Sequence, residues 1–521
     1  MVSSKLRIKF IPEFCVILGL YSLVITNEIM KKAIVFIAMA FLLGCYFFPY
    51  RVDIISQKKQ AIDLQKDFVV FRSVLEKGHP ALYKYTAKPE LDFCFDSIYA
   101  TINTPQDIRT FNEKLAFIIN KIGCSHTNIY LPEDYYDTIK NRKNFFPLPL
   151  IYVDGGIYVN TDQSNIPVGA HILSINNHPV EEILNRTAMH YVPDGRNKLY
   201  SRSQATVDFA YAYFLAYGPA AYFDVEFAAP GNNALQKEKI EAVTLQQYHK
   251  DYNINAYYYY PDEVGYDFEI IDSLQTAILT LRSFSYSSAA TFAAYKNFIK
   301  NSFTLLKNEP DIKNLIIDCR NNTGGEYENI FLLNRFLSRS PFKENESASV
   351  FFDKVPYAGF LEKEYAETEK PALDSMILKE FCRNHKNENS LTEADNTLHR
   401  PHPMAFNDNL FVIINNNVLS AASNFVAIIK DSRRGVVVGE ETGGGYNSHN
   451  GFTRVLYKLP ATGFSIEYSV VQVKHALQNP NLNKFGIQPD YHISTTVHDV
   501  IESRDPQLSF IINKLIKPSM Q

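Results

Sequence analysis

The sequence predicts an α/β protein of several domains, and three observations carry that prediction. From about Thr276 buried apolar strands alternate with helical patterns, as in "TAILTLRSF", "SSAATFAAYKNFIKNSFTLLKNEP", "IKNLIIDCRNNTGG" and "NLFVIINNN". Such alternation suggests a layered α/β core. Before it, from about Phe146 to Phe268, come short alternating strands, among them "PLPLIYVDGGIYVNT" and "AYFDVEFAAP", with Asp154-Gly155-Gly156 as a hairpin signal. Earlier still, Asp63 to Ile122 shows apolar residues at three- and four-residue intervals, the spacing of helices with one buried face. The chain has 521 residues, room for about three or four domains.

Taken in order, the first elements concern export. Residues 30–45 have the layout of a secretory signal: two lysines after Met30, an apolar run, then Leu42-Leu43-Gly44-Cys45. That tetrapeptide resembles a bacterial lipobox, in which Cys45 would carry the lipid and become the mature N-terminus. An uncleaved membrane helix over Ala33 to Phe48 is the alternative. Residues 1–29 hold a second apolar stretch, read either as an upstream extension ahead of a true start at Met30 or as part of a membrane hairpin. Both readings put the body of the protein in the cell envelope, facing the periplasm or the exterior.

Residues 46–62 read as a tether and 63–145 as a helical domain. In the latter, Gly78-His79-Pro80 breaks one helix and Thr104-Pro105 opens the next. Residues 146–268 form a β-rich middle domain, and "IPVGAHILSINNHPVEEIL" within it, a turn, a strand over 172–176 and a helix starting near Val180, resembles the centre of a PDZ module. Residues 269–500 are the α/β core, with a less regular stretch at about 340–405, and 501–521 a C-terminal helix or tail. The formal charge is −4, which leaves no basic surplus for phosphate backbones and argues against a nucleic-acid binder. The six cysteines show no short metal-ligand spacing, so neither a metal site nor another cofactor is expected. Oligomeric state is not legible.

Chemistry is suggested by three distant segments. "LIIDCRNNTGG" runs a strand into a glycine turn, where backbone amides can approach a ligand closely. "NNNVLSAASNFVAIIKDSRRGVVVGEETGGG" places Ser420 where a turn becomes a helix. A serine there is ordinarily a cap; beside a base and amide donors it is a nucleophile. "GCSHTNIYL" supplies a histidine, His126, beside the hydroxyl of Ser125. His449 and His475 are the other candidate bases.

These motifs resemble those of the tail-specific (C-terminal-processing) and tricorn-like serine peptidases. "LIIDCRNNTGG" resembles their Asp-x-Arg-x-Asn-x-Gly-Gly signature, and "VLSAASNFVAIIK…GVVVGEETGG" their nucleophile segment. "CSHT" resembles their histidine segment and "FGIQPDYHI" their closing Gly-Val-x-Pro-Asp motif. The four stand in family order over roughly residues 65 to 495. The resemblance implies a ClpP/crotonase-like core and a serine endopeptidase of the histidine-base branch, acting on proteins or peptides. It makes Ser420 the nucleophile, His126 the base and Ser125 the serine that precedes it. Amides of Gly324 or Gly325 and of Ala421 would be the oxyanion donors. No lysine lies between Lys430 and Lys458, so the lysine-base branch fits poorly. Asn483 stands where tricorn-like sequences carry the glutamate that orients the histidine, which leaves Asn483, Glu441 or Glu467 for that task. Ser423 replaces another glutamate frequent in the family. A weakly active or inactive relative that binds peptide or an apolar ligand is the rival reading.

Overall fold

The computed structural model describes residues 54–521 except 233, 256–264, 344, 378–385, 388–389, 394–397, 482–484 and 521. Cys45 and Asn483 lie outside the described residues. The chain divides into two units, and the second, Lys58–Gln521, carries everything below.

Its centre is a six-stranded sheet. Thr276–Leu281, Asn314–Asp318, Asn409–Ile414, Val436–Gly439 and Tyr491–His492 run parallel in that spatial order, and Tyr266–Ile271 pairs antiparallel on the first edge. The apolar runs of the middle strands follow from burial of both faces. Leu279, Leu315, Ile317, Val412 and Ile414 point to one side, against helices Ala289–Asn308, Tyr327–Leu337 and Ser420–Asp431. Ile278, Ile316, Phe411, Ile413 and Val438 point to the other, against Ile511 and Ile516. The final residues, set apart in the sequence as a helix or tail, thus cover the second face of the core.

A second sheet is built on the long hairpin Ser448–Lys458/Ser465–His475. Thr127–Tyr130 pairs with Ser465–Tyr468 in it, so the strand after His126 is held by the C-terminal half of the chain. Asp67, buried on the first helix, Ala61–Gly78, accepts the amides of Ala461 and Thr462 at 2.9 and 2.7 Å and fixes the turn of that hairpin. The expected break at Gly78-His79-Pro80 has a use. His79 Nδ1 accepts the Ala81 amide, which leaves the proton on Nε2 to reach the Thr127 hydroxyl at 2.8 Å.

Two expectations for this half of the chain need correction. The helix Ile108–Ile122 is capped by Asp107, which accepts from the Thr110 amide, rather than opened at Thr104. Gln106–Asp107 pairs instead with Lys58–Lys59 as a short ribbon. The middle region, read as short strands with one helix starting near Val180, has that helix at Val180–Thr187 and also contains helices Lys198–Val207, Phe209–Tyr217 and Leu245–Asn255. "FAYAYFLAY" is apolar on nearly every side, and periodicity cannot separate such a buried helix from a strand. The strands expected there, Leu150–Val153, Gly156–Val159, His171–Ile175 and Tyr222–Ala228, do form an antiparallel sheet, which Leu235–Glu241 extends.

Candidate active site

The glycine turn and the nucleophile turn follow adjacent parallel strands, Asn314–Asp318 and Asn409–Ile414, so the register of the sheet brings both to one edge. Asparagines lace them together. Asn415 Oδ1 accepts the Asn321 amide at 3.0 Å and the Asn417 amide at 3.2 Å, and Asn415 Nδ2 donates to Asn321 Oδ1 at 2.8 Å. The Leu419 amide donates to the Asn322 carbonyl at 3.1 Å. Asp318 and Arg320 brace the turn from below. Asp318 accepts from the Arg320 amide and guanidinium and from Arg282, and the two guanidinium groups hold its carboxyl far below the usual carboxylate range. Asp490 likewise fixes a strand, accepting the Val437 amide at 2.8 Å.

Ser420 is the first residue of its helix, and Leu419, the residue before it, makes no side-chain cap bond. Ser420 holds φ +50, a left-handed conformation that costs an L-residue about 1–2 kcal/mol. Its hydroxyl lies 3.1 Å from His126 Nε2. The other ring nitrogen, Nδ1, is 3.1 Å from Ser125 Oγ, and Ser125 Oγ is 3.0 Å from Asp194 Oδ1. A carboxylate only accepts, so Ser125 donates to Asp194 and must accept from His126 Nδ1–H. Nε2 is then the acceptor for the Ser420 proton. Burial pulls the imidazole pKa below its ordinary value, and the charges of Asp194 and Glu467 oppose that shift.

Asp194 is the residue that sequence reasoning missed. It is buried, its Oδ1 also accepts the Ser125 amide at 3.0 Å, and its Oδ2 accepts the Gly445 amide at 3.3 Å. Its own amide donates to the Gly443 carbonyl, and Asn197 Nδ2 reaches the carbonyls of Glu441 and Thr442. The segment "VPDGRN" is thereby docked on the glycine run that follows the nucleophile helix. In sequence it reads as an ordinary Pro-Asp-Gly turn, with nothing to tell it from any other.

The remaining candidates take other positions. Glu441 accepts the Gly486 amide at 3.2 Å, and Glu467 pairs with Arg454 at 2.9 Å; neither is bonded to His126. His449 and His475 form a chain of their own. The Tyr446 carbonyl accepts from His475 Nδ1 at 2.6 Å, His475 Nε2 lies 2.8 Å from His449 Nδ1, and His449 Nε2 lies 2.7 Å from the Tyr327 hydroxyl. The carbonyl sets the direction: each imidazole is neutral and His449 Nε2 accepts from Tyr327. Burial lowers both pKa values, that of His475 to about 3. His449 stacks beside His126, with centroids 5.9 Å apart, but its nitrogens are committed. Cys124 is buried and its thiol is pushed up to about 12, so it is no rival nucleophile.

Gly324 lies against the nucleophile: a Cβ there would stand 2.8 Å from Ser420 Cβ and 2.9 Å from the Ala421 nitrogen. Its amide, however, donates to Asn322 Oδ1 at 2.9 Å. Of the two glycines named from the sequence, Gly325 is the one whose amide has no hydrogen-bond partner among the described residues. Ser423 donates to the Ser420 carbonyl at 2.7 Å, inside the helix. Among the described residues, no group of His, Cys, Asp and Glu could hold a metal ion.

A parallel α/β core carrying a serine and an imidazole at the edge of its sheet defines the class: serine peptidases of mixed α/β fold. Residues 275–493 match the model described as peptidase family S41. Among solved structures, mature CPAF is 16% identical, covers 88% of this chain and 97% of its own, and superposes with a TM-score of 0.60. CPAF complexed with lactacystin (16%, 88% and 98%, TM-score 0.61) and a serine-to-alanine CPAF mutant (15%, 88% and 97%, TM-score 0.61) superpose equally well. At these identities the likeness is one of fold. No curated protein matches the sequence.

Proposed function

We propose that the protein is an endopeptidase that works through a Ser420–His126 acyl-enzyme cycle. The observation that carries this reading is the 3.1 Å approach of Ser420 Oγ to His126 Nε2. His126 takes the hydroxyl proton as Oγ adds to a peptide carbonyl. The amides of Gly325 and Ala421 receive the oxyanion. Collapse breaks the C–N bond, and the amine leaves with the proton held on Nε2. Water then gives a proton to His126 as it attacks the ester, and His126 passes that proton to Ser420 Oγ as the C–O bond breaks, releasing the acid and restoring Ser420. Ser125 and Asp194 keep the ring in the tautomer that has Nε2 free and stabilise the imidazolium that forms.

A fluorophosphonate probe tests this. Covalent labelling at Ser420, lost in Ser420→Ala and in His126→Ala, is the expected result, with peptide cleavage lost alongside. Absence of labelling in well-folded wild-type protein favours the rival, a peptide-binding relative without activity. Location is part of the same proposal: a lipid on Cys45 holds the protein to the envelope. Cys45→Ala should release it from the membrane fraction and abolish fatty-acid incorporation; retention of both membrane association and lipid rules that anchor out.

A further inference from the structure

Resting on the peptidase reading, we infer that the cleft beside Ser420 selects peptide segments that carry lysine or arginine side chains. A cavity of about 910 Å³ has Asn321 and Asn417 in its wall, residues of the two turns that hold the glycines and Ser420. Its acidic lining is Glu133, Asp208, Glu362, Glu364 and Glu467, and Lys458 is the only lysine or arginine among the described lining residues. Part of that charge is already answered inside the protein. Glu467 pairs with Arg454 at 2.9 Å, and Glu362 accepts the Ser465 hydroxyl.

Asp208 is only half answered. Its Oδ2 accepts the Tyr191 hydroxyl at 2.6 Å, while Oδ1 is buried and has no hydrogen-bond partner among the described residues. A buried, unpaired carboxylate oxygen is unfavourable; it has no surface open to the cavity, and a turn of the side chain outward would bring it to a donor, most favourably a charged one. Burial pushes the Asp208 pKa up to about 6, and the Tyr191 hydroxyl opposes that shift. The half-exposed ring of Tyr130 on the same wall offers a face to a cation and to its aliphatic stem. An acidic segment entering the same space would meet like charge from several directions.

The test uses full-length Ser420→Ala, which holds peptide without turnover. Three labelled peptides, identical except for lysine, alanine or glutamate at two positions, are titrated by fluorescence anisotropy. The lysine peptide should bind about tenfold more tightly than the alanine peptide, with glutamate weakest. The difference should shrink as salt rises from 50 to 300 mM, as estimated from screening lengths of about 14 to 6 Å. Asp208→Asn should reduce it, and so should Glu133→Gln with Glu364→Gln, two exposed positions that leave the fold alone. Equal affinity for the three peptides, or a preference that survives both sets of changes, overturns the inference. Fluorophosphonate labelling of the wild type is scored separately. Labelling without charge preference sinks the cleft and spares the peptidase; charge-selective binding without labelling does the reverse.

Discussion

At the scale of single residues, the site depends on which atom holds a proton. His126 is kept neutral by burial, and its two nitrogens are given opposite roles by Ser125 on one side and Ser420 on the other. Because its pKa lies below the ordinary histidine value, the acid limb of kcat/KM should fall below about pH 6.5. Asp194 acts through Ser125 as a positioning residue. Asp194→Asn should lower kcat/KM by about 100-fold, at the low end of general acid–base contributions. It should also move the acid limb further down, because the carboxylate charge raises the His126 pKa. A purely structural role would lower activity without moving that limb, so an unshifted profile is the contrary result.

At the scale of elements, a turn and a helix start are pressed together so closely that only glycine fits between them. Gly324 holds φ +101, and its missing side chain would strike Ser420 Cβ and the Ala421 nitrogen, neither of which can swing aside. Gly324→Ala combines a disfavoured backbone with a backbone clash, and should destabilise the protein by about 2–4 kcal/mol. Activity should fall more than stability alone explains, since the turn positions the amide of the next residue. Chemical denaturation and probe labelling measured on the same sample separate the two. Full labelling at wild-type stability contradicts the prediction. The same scale explains the asparagines: Asn321, Asn322 and Asn415 spend their side chains or carbonyls tying one turn to the other, which is why so polar a segment is ordered.

At the scale of the whole molecule, buried histidines link stability to pH. His79 and His475 titrate at about 3 and His190 at about 4, each lowered chiefly by burial. Unfolded, each would titrate near 6.5. Between those values the unfolded chain binds more protons, so stability is complete above about pH 6.5 and declines as the pH falls. Asp208, raised to about 6, has the opposite sign and offsets one of the three. The net slope from these groups is about 2–3 kcal/mol per pH unit near pH 5. Thermal or urea unfolding at pH 7.5 and pH 5 should show a clear loss at the lower pH. Equal midpoints would refute the linkage.

The parts whose signal is local are legible in the residues alone. The core strands announce themselves as apolar runs buried on both faces, and the glycine turn, the Ser420 helix start and the Ser-His pair keep fixed spacings that need no partner to be recognised. How those parts meet follows from the packing of the fold. Asp194 sits in a commonplace turn, and its place beneath Ser125 is set by docking onto Gly443 and Gly445, some 250 residues away. His449 and His475 are as histidine-like in sequence as His126; a hydrogen-bond chain fixed by one carbonyl occupies them. In sequence the Gly324 amide is as available as that of Gly325; in the fold Asn322 Oδ1 holds it. The physical reason is common to all three: propensity and pattern act over a few residues, whereas the charge, tautomer and availability of a buried group are set by whatever the fold packs against it.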